Sequence, residues 1–293
     1  MPDLAPYVVT GLVLGGVYAL SGVGIVVLYK ATGVLNFAYG AIGAMGALIA
    51  WNLVKAGIPM WLALIAAVAV GGLLSLGYGW IVGPSLARRD PLVKAIGTLG
   101  FALILVGIMF LVWSDDPRTL ELPTTKIGFF IGSVRFTWTG VIAIVLAIVV
   151  SAGAALFLRR SALGTVMRAM ADDRDVTAML GVPVRRVEAA AWLGSGIVCG
   201  ATGILLGSLV LLDGVTLTFL VISSLAAALV GRLRSLGVTF GAGIVIGVIE
   251  SCLAAWPQTS SLRAMTPFVI AIVVLVWLGR HRTYSFSAAQ LER

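Results

Sequence analysis

The sequence predicts an all-α, polytopic membrane bundle of about nine transmembrane helices, within a range of eight to ten. Three observations carry this. Of the 293 residues, 60% are hydrophobic and only 11% are Asp, Glu, Lys or Arg. The mean hydropathy is +1.10, which no soluble domain of this size reaches. Apolar runs of about 20 residues, the length of a bilayer-crossing helix, recur along the whole chain. No polar stretch exceeds about 30 residues, too little for a separate water-soluble core, so 1–293 reads as a single transmembrane domain.

Span one runs from about Tyr7 to Leu28 and is followed by Lys30. The opening MPDLAPY has no basic region, so this run is expected to be a membrane helix and not a cleaved signal peptide. Span two, Val34 to Leu53, is rich in glycine and followed by Lys55. Span three, Trp61 to Val82, stops at Gly83-Pro84, and Arg88, Arg89 and Lys94 surround the next turn. Span four, Leu92 to Trp113, leads into a 24-residue polar segment, Ser114 to Thr137, with Pro117 and Pro123. Span five, Trp138 to Leu158, ends at Arg159-Arg160. Span six covers Ala189 to Leu212, and Asp213-Gly214 turns the chain. Span seven, Thr216 to Val230, is short enough to raise a re-entrant reading. Span eight, Leu236 to Ala255, and span nine, Thr266 to Leu278, precede a basic tail holding Arg280, His281 and Arg282.

Charge sets the expected orientation. With the stretch between spans five and six inside, Lys30, Arg88, Arg89, Lys94, the six arginines from Arg159 to Arg186, Arg232, Arg234, Arg280, Arg282 and Arg293 also lie inside. Those are 15 of the 20 basic residues; Lys55, Arg118, Lys126, Arg135 and Arg263 lie outside. This asymmetry is what the positive-inside rule requires. It places the N-terminus out and the C-terminus in. A re-entrant span seven would move Arg232, Arg234 and the tail outside, which favours nine spans. The net charge of +8 therefore follows membrane topology and does not point to nucleic acid. Glycines pair four apart at Gly11/Gly15, Gly79/Gly83, Gly196/Gly200, Gly203/Gly207, Gly237/Gly241 and Gly243/Gly247, a spacing that lets helix backbones approach closely in lipid.

Charge concentrates at Ser161 to Glu188, with Arg168, Asp172, Asp173, Arg174, Asp175, Arg185, Arg186 and Glu188. Leu163, Val166, Met167 and Met170 recur at helical spacing within it, which predicts a short amphipathic helix. Gly181, with Pro183 two residues on, is a helix stop. A mere connecting loop needs no such stripe, and an apolar face outside the lipid wants a protein partner. No G-x-x-x-x-G-K-[ST] occurs, so the chain carries no P-loop. No His/Cys/carboxylate cluster has metal-ligand spacing; Cys199 and Cys252 read as small apolar side chains. Only Glu250 is an acid well inside a span. It is open to two readings, a structural hydrogen bond within the bundle or a role in transport. Tyr18, Asn36 and Tyr39 place polar groups in Gly-rich apolar sequence. They face a pathway, or Asn36 bonds backbone to tie helices.

The run MRAMADDRDVTAMLGVPVRRVEAAAWLGSGIVCGATGILLG, Met167 to Gly207, resembles the cytoplasmic coupling loop of the permease subunits of ABC importers. It is most similar to the branched-chain amino acid permease family (LivH/LivM type). The likeness lies in Arg168-Ala169, Ala171-Asp172-Asp173, and Ala178 with Gly181. An opening element, Gly15, Tyr18, Ala19 and Leu20 followed by Gly33, Val34, Asn36, Phe37, Ala38 and Gly40, resembles the same family, as do Gly241, Gly243, Gly247 and Glu250. Tyr39 stands where His is common, Arg232-Leu233-Arg234 where glycines are common, and GRHRTY replaces an Arg-Pro-x-Gly tail.

The resemblance implies a transport subunit that is not itself an enzyme. Residues 159–188 would form the coupling loop, with Met170, Asp172, Asp173, Ala178, Met179 and Gly181 at the ATPase contact. Tyr18, Asn36, Tyr39 and Glu250 would lie on the substrate pathway. The implied partners are a second permease subunit, as hetero- or homodimer, two ATP-binding subunits and an extracytoplasmic substrate-binding protein. The chain itself would hold no cofactor and no metal, ATP–Mg being bound by partner subunits. The implied setting is the bacterial cytoplasmic (inner) membrane, and the implied cargo is branched-chain amino acids or related small polar metabolites. Two rivals remain in view: an ion-independent channel or facilitator, and a membrane-embedded enzyme, which would need paired intramembrane catalytic groups.

Overall fold

The computed structural model describes residues 4–279 apart from 88, 115, 117, 132, 133, 257 and 259. Arg88, Pro117, the tail with Arg280, His281, Arg282 and Arg293, and the side chain of Arg135 lie outside the described residues.

The first helix, α1 (Ala5–Thr32), has Pro6 in its first turn, where a missing N–H costs nothing. It ends at Gly33, whose φ of +65° lets its N–H return to the Tyr29 carbonyl at 2.7 Å. Then come α2 (Tyr39–Lys55), α3 (Met60–Ile81), the single turn α4 (Gly83–Leu86) and α5 (Pro91–Trp113). A turn, α6 (Pro123–Lys126), precedes two strands, β1 (Gly128–Ile131) and β2 (Val134–Thr137). α7 (Trp138–Arg160), α8 (Ala162–Asp172), α9 (Arg174–Met179), α10 (Val184–Leu209), α11 (Gly214–Val230) and α12 (Leu236–Leu253) follow. A 3-10 turn, Ser260–Met265, leads to α13 (Thr266–Gly279).

Each apolar stretch expected as a span is helical over most of its length, but 34–38 is an irregular link before α2 and 210–212 lies beyond the end of α10. Among the described residues six helices are long and apolar enough to cross a membrane: α1, α3, α5, α7, α10 and α12. α2 and α11 have 17 residues each, and α13 has 14. The ends are written locally. Thr137, Ser161, Asp173, Asp213 and Ser235 each accept a backbone N–H from the first turn of the helix that follows, worth about 1 kcal/mol apiece. α10 begins at Val184, earlier than the expected Ala189, because Pro183 fixes the entry and the helix forms directly behind it. Arg185, Arg186 and Glu188 are therefore helical residues and not loop residues.

The polar segment between α5 and α7 contains structure that the hydropathy pattern does not reveal. β1 and β2 pair antiparallel, with Phe129 opposite Phe136, and those two rings stack at 5.6 Å. The strand-prone aromatic and β-branched residues form this ribbon because they are too few to cross a bilayer.

α1 is the axis of the bundle, packed against α7, α8, α10, α11 and α12. Its contact with α12 is backbone to backbone. A Cβ on Gly15 would fall 2.8 Å from the Ile244 carbonyl, and one on Gly243 2.6 Å from Ala19 Cα. α3 and α10 meet in the same way at Gly71, Gly196 and Gly200, and α2 and α10 at Gly43 and Gly203. One glycine pair takes no part, Gly237 and Gly241 having nothing within 4 Å of such a Cβ, and of Gly79/Gly83 only Gly79 is closely packed, against the Trp192 side chain. The outward faces of α3, α5 and α7 are apolar, with Leu73, Leu103, Leu111 and Val149 exposed. That is a lipid-facing surface rather than one for water.

Candidate functional site

The dense polar stretch folds into two helices joined by a sharp corner. Ser161 caps α8, its hydroxyl accepting the Gly164 N–H at 2.8 Å. Gly164 sits so close to α7 that a Cβ there would lie 2.6 Å from Leu158 Cα. Arg168 donates to the Leu158 carbonyl at 2.5 Å, which fastens α8 against the end of α7. The apolar stripe then turns inward. Met167 and Met170 join Leu28, Tyr78, Val187 and Trp192 in a second core distinct from the main one.

Asp173 is extended, with φ −153°. Its carboxylate accepts the N–H groups of Asp175 and Val176 at 3.0 Å each, and this cap starts α9. Arg174 Nε donates to Glu188 Oε1 at 2.8 Å, tying α9 to the first turns of α10. That hydrogen bond raises the guanidinium's already high pKa. The corner after α9 is made by Gly181, at φ +80° with nothing within 4 Å of a would-be Cβ. Glycine is there for its backbone conformation and not for close packing.

These constraints leave the tip of α9 bare. Met179 is 85% exposed, Leu180 77% and Val176 52%. Asp172, Asp173, Ala178 and Gly181 are exposed around them. Met170, grouped with them by sequence, is only 5% exposed and is part of the chain's own interior. Val176 and Leu180 were not singled out from sequence, although they flank Thr177, which is buried on the inner side of the same helix.

The four polar residues proposed for a pathway fall in three places. Tyr18 of α1 and Glu250 of α12 come together, the phenol donating to Glu250 Oε1 at 3.5 Å. Arg263 stands 4.0 Å from the same oxygen, and Ser223 of α11 faces the pair. Glu250 Oε2 is buried without a hydrogen-bond partner among the described residues. Asn36 lies in the link before α2 and is 2% exposed. Its Oδ1 accepts the Ala38 N–H at 3.0 Å. The neighbouring backbone is pinned by Thr98 of α5, which accepts from Phe37 N at 3.1 Å and donates to the Leu35 carbonyl at 3.0 Å. Tyr39 packs its hydroxyl against Gly24, and its carbonyl accepts from Cys199 Sγ at 2.6 Å. It borders a void of about 10 Å³ together with Ser21, Gly43 and Thr202, room for one water at most. Ser223 and Thr98 carry a signal that could have marked them, a hydroxyl inside an apolar run. Arg263 carries none, because it arrives through the 3-10 turn.

The family model for the branched-chain amino acid transport system, permease component, matches residues 7–278. Among curated proteins, the chain is 27% identical to the high-affinity branched-chain amino acid transport system permease protein LivH of Salmonella typhimurium, over 91% of both chains. It is 26% identical to the corresponding BraD protein of Pseudomonas aeruginosa, over 94% of this chain and 95% of the relative. It is also 26% identical to the probable branched-chain amino acid transport permease protein LivH of Methanocaldococcus jannaschii, over 90% of this chain and 86% of the relative.

Proposed function

Since the chain belongs to the permease component family of the branched-chain amino acid transport system, we infer that its bundle carries branched-chain amino acids or closely related small polar metabolites inward. It is a transport subunit and not an enzyme. Energy would come from two ATP-binding subunits, each a separate chain. A second permease subunit would complete the path, and an extracytoplasmic binding protein would deliver the cargo. The chain would cross the cytoplasmic membrane nine times, N-terminus out and C-terminus in, as its basic residues argue.

The observation that carries this reading is the bare apolar tip of α9. Val176, Met179 and Leu180 project from a polar stretch that caps and one ion pair hold in place. A stiff lever with an apolar end suits a groove on an ATPase subunit, where closing on ATP would be passed to α8 and α10 and so to the bundle. Asp172 and Asp173 would stand at the rim, where charge sets orientation more than affinity. Tyr18, Ser223 and Glu250 supply the bundle's interior polar cluster, and supporting a pathway through it is their best use. A channel or facilitator would need no such lever.

The test is reconstitution with the ATP-binding subunits, a second permease and the binding protein. Liganded binding protein should stimulate ATP hydrolysis, and Met179→Asp with Leu180→Asp should abolish that stimulation. Unchanged stimulation in the double variant would remove the lever from the mechanism. Orientation is checked separately, in a Cys252→Ser background. A cysteine at Glu121 should react with an impermeant thiol reagent from outside, and one at Asp175 only after permeabilisation. Equal reaction in intact cells would overturn the topology.

A further inference from the structure

At the end of α3, beside the coupling stretch, lies an open cleft of about 630 Å³ lined by Ser85, Arg89, Arg174, Arg185 and Glu188. Three guanidiniums face one carboxylate. That carboxylate is taken up by Arg174 at 2.8 Å, and Asp175 adds its charge to Arg174 as well. Arg185 and Arg89 are left with no ion-pair partner among the described residues. Lys94 lines a smaller recess that shares Ala87 and Glu188 with the cleft. The cleft is therefore a site of excess positive charge, built from the turn α4 and the first turns of α9 and α10.

Its second property is where it stands. The Arg185 guanidinium lies 4.5 Å above the Trp80 ring, and its Nη2 donates to the Trp80 carbonyl at 3.4 Å. Trp80 sits in the last turn of α3, and exposed apolar side chains follow it at the end of α3 and, past the turn α4, on the first turns of α5. Ile81 is 75% exposed, Leu92 71% and Ile96 57%. These continue the lipid-facing sides of α3 and α5 described above. A tryptophan carrying an arginine at the end of an apolar span is an arrangement suited to the membrane–water boundary. So a basic cleft opens at the seam between the polar end of the bundle and its lipid-facing wall.

We propose that this cleft binds the phosphate headgroup of an anionic phospholipid, with Arg89 and Arg185 as donors and the acyl chains lying along Trp80, Ile81, Leu92 and Ile96. Guanidinium matches the phosphate oxygens with paired N–H groups. An acidic protein segment would use the charge but leave the apolar flank idle, and a free anion would do the same. The apolar continuity therefore selects a lipid. The site rests on the reading of the chain as a membrane protein and not on its cargo or its coupling. The orientation proposed above puts it in the cytoplasmic leaflet.

The test uses the full chain purified with its co-expressed partners, delipidated in detergent and titrated with phosphatidylglycerol or phosphatidylcholine, bound lipid being counted by native mass spectrometry. Wild type should hold phosphatidylglycerol in preference to phosphatidylcholine. Each of Arg89→Gln and Arg185→Gln should weaken phosphatidylglycerol about 5-fold, and the pair roughly 25-fold, from the attraction of one basic residue each. Arg89→Gln alters an exposed, unpaired side chain, so it decides the matter alone if the double variant fails to fold. Millimolar inorganic phosphate should leave the lipid in place. Undiminished phosphatidylglycerol binding in the variants overturns the proposal. Complete displacement by phosphate would make the cleft a free-anion site. Loss of an ATP-binding subunit with lipid binding intact would make it a protein contact. None of these readouts needs transport, so the lipid site and the import reading can fail independently.

Discussion

Arg174 and Glu188, fourteen residues apart, meet at 2.8 Å across the corner between α9 and α10. The pair is partly sheltered, with side-chain exposures of 32% and 15%, so its charges are less screened than those of a surface pair. It holds the short helix α9, only six residues long, in a fixed attitude to a long one.

Glu188→Gln should therefore loosen α9 without unfolding the bundle, at a local cost of about 1 kcal/mol. Amide hydrogen exchange should quicken across 174–182 and stay unchanged in α1 and α12. Uniform protection in both proteins would show that the caps alone fix α9.

Gly181 has φ +80° in open space, so backbone strain and not crowding should decide its substitutions. Gly181→Ala and Gly181→Val should lose binding-protein-stimulated ATP hydrolysis to a similar degree, at about 1–2 kcal/mol of strain. Gly181→Asn, better tolerated in the left-handed region, should retain more. A graded loss following side-chain volume would point to a clash with a partner instead.

Met170 and Met179 lie nine residues apart and should behave in opposite ways. Met170→Asp puts a charge into the second core beside Tyr78 and Trp192. It should cost several kcal/mol and lower the yield of folded protein. Met179→Asp should leave folding untouched and act on coupling only. Comparable size-exclusion profiles for both variants would contradict this division.

Asn36 holds an Asx turn just ahead of α2, since its Oδ1 takes the Ala38 N–H. Asn36→Asp should preserve uptake, whereas Asn36→Ala should destabilise the turn before α2 by about 1 kcal/mol. Equal and complete loss of uptake in both, with thermal stability unchanged, would show that the amide itself serves the cargo.

Arg232 and Leu233 both have φ of +55°, in a turn where only glycine is at ease. Arg232 is exposed, so Arg232→Gly should raise the thermal midpoint, by relief of up to about 1 kcal/mol after the entropy lost by glycine is counted. Arg232→Ala should give no gain. A lower midpoint for Arg232→Gly would mean that the side chain holds the turn.

Much of this was legible in the chain because lipid simplifies the code. An apolar run of span length must be helical, since its backbone has no other way to satisfy itself. The amphipathic α8 and the corner at Gly181 are readable for local reasons, whereas the departure from glycine at Arg232 shows only against the resembled family. What could not be read depends on distant partners. Leu163 and Met170 show a stripe, but nothing in the stripe says that it faces α1 and α10 instead of another protein. Gly11/Gly15 and Gly237/Gly241 look alike, yet only the first pair meets the backbone of another helix, α12, while Gly237 and Gly241, on α12 itself, face open space. Glu250 gave no hint of Tyr18, which lies 232 residues away. The hairpin escaped notice because its strands are four residues each, short enough to read as loop.

The glycine seam between α1 and α12 has a consequence for how the protein is made. α1 leaves the ribosome well before α12 and is the most enclosed of the span-length helices among the described residues, and the backbone it fits against is roughly 230 residues behind it. At about 5–20 residues per second, α1 waits on the order of ten to fifty seconds for that surface. Through that interval Gly11, Gly15 and Tyr18 face whatever is beside the translocation channel. The nascent chain must be sheltered there, by an insertion factor or by its own α7 and α10 as they arrive. A burden on synthesis is thus built into the same contact that makes the mature bundle tight.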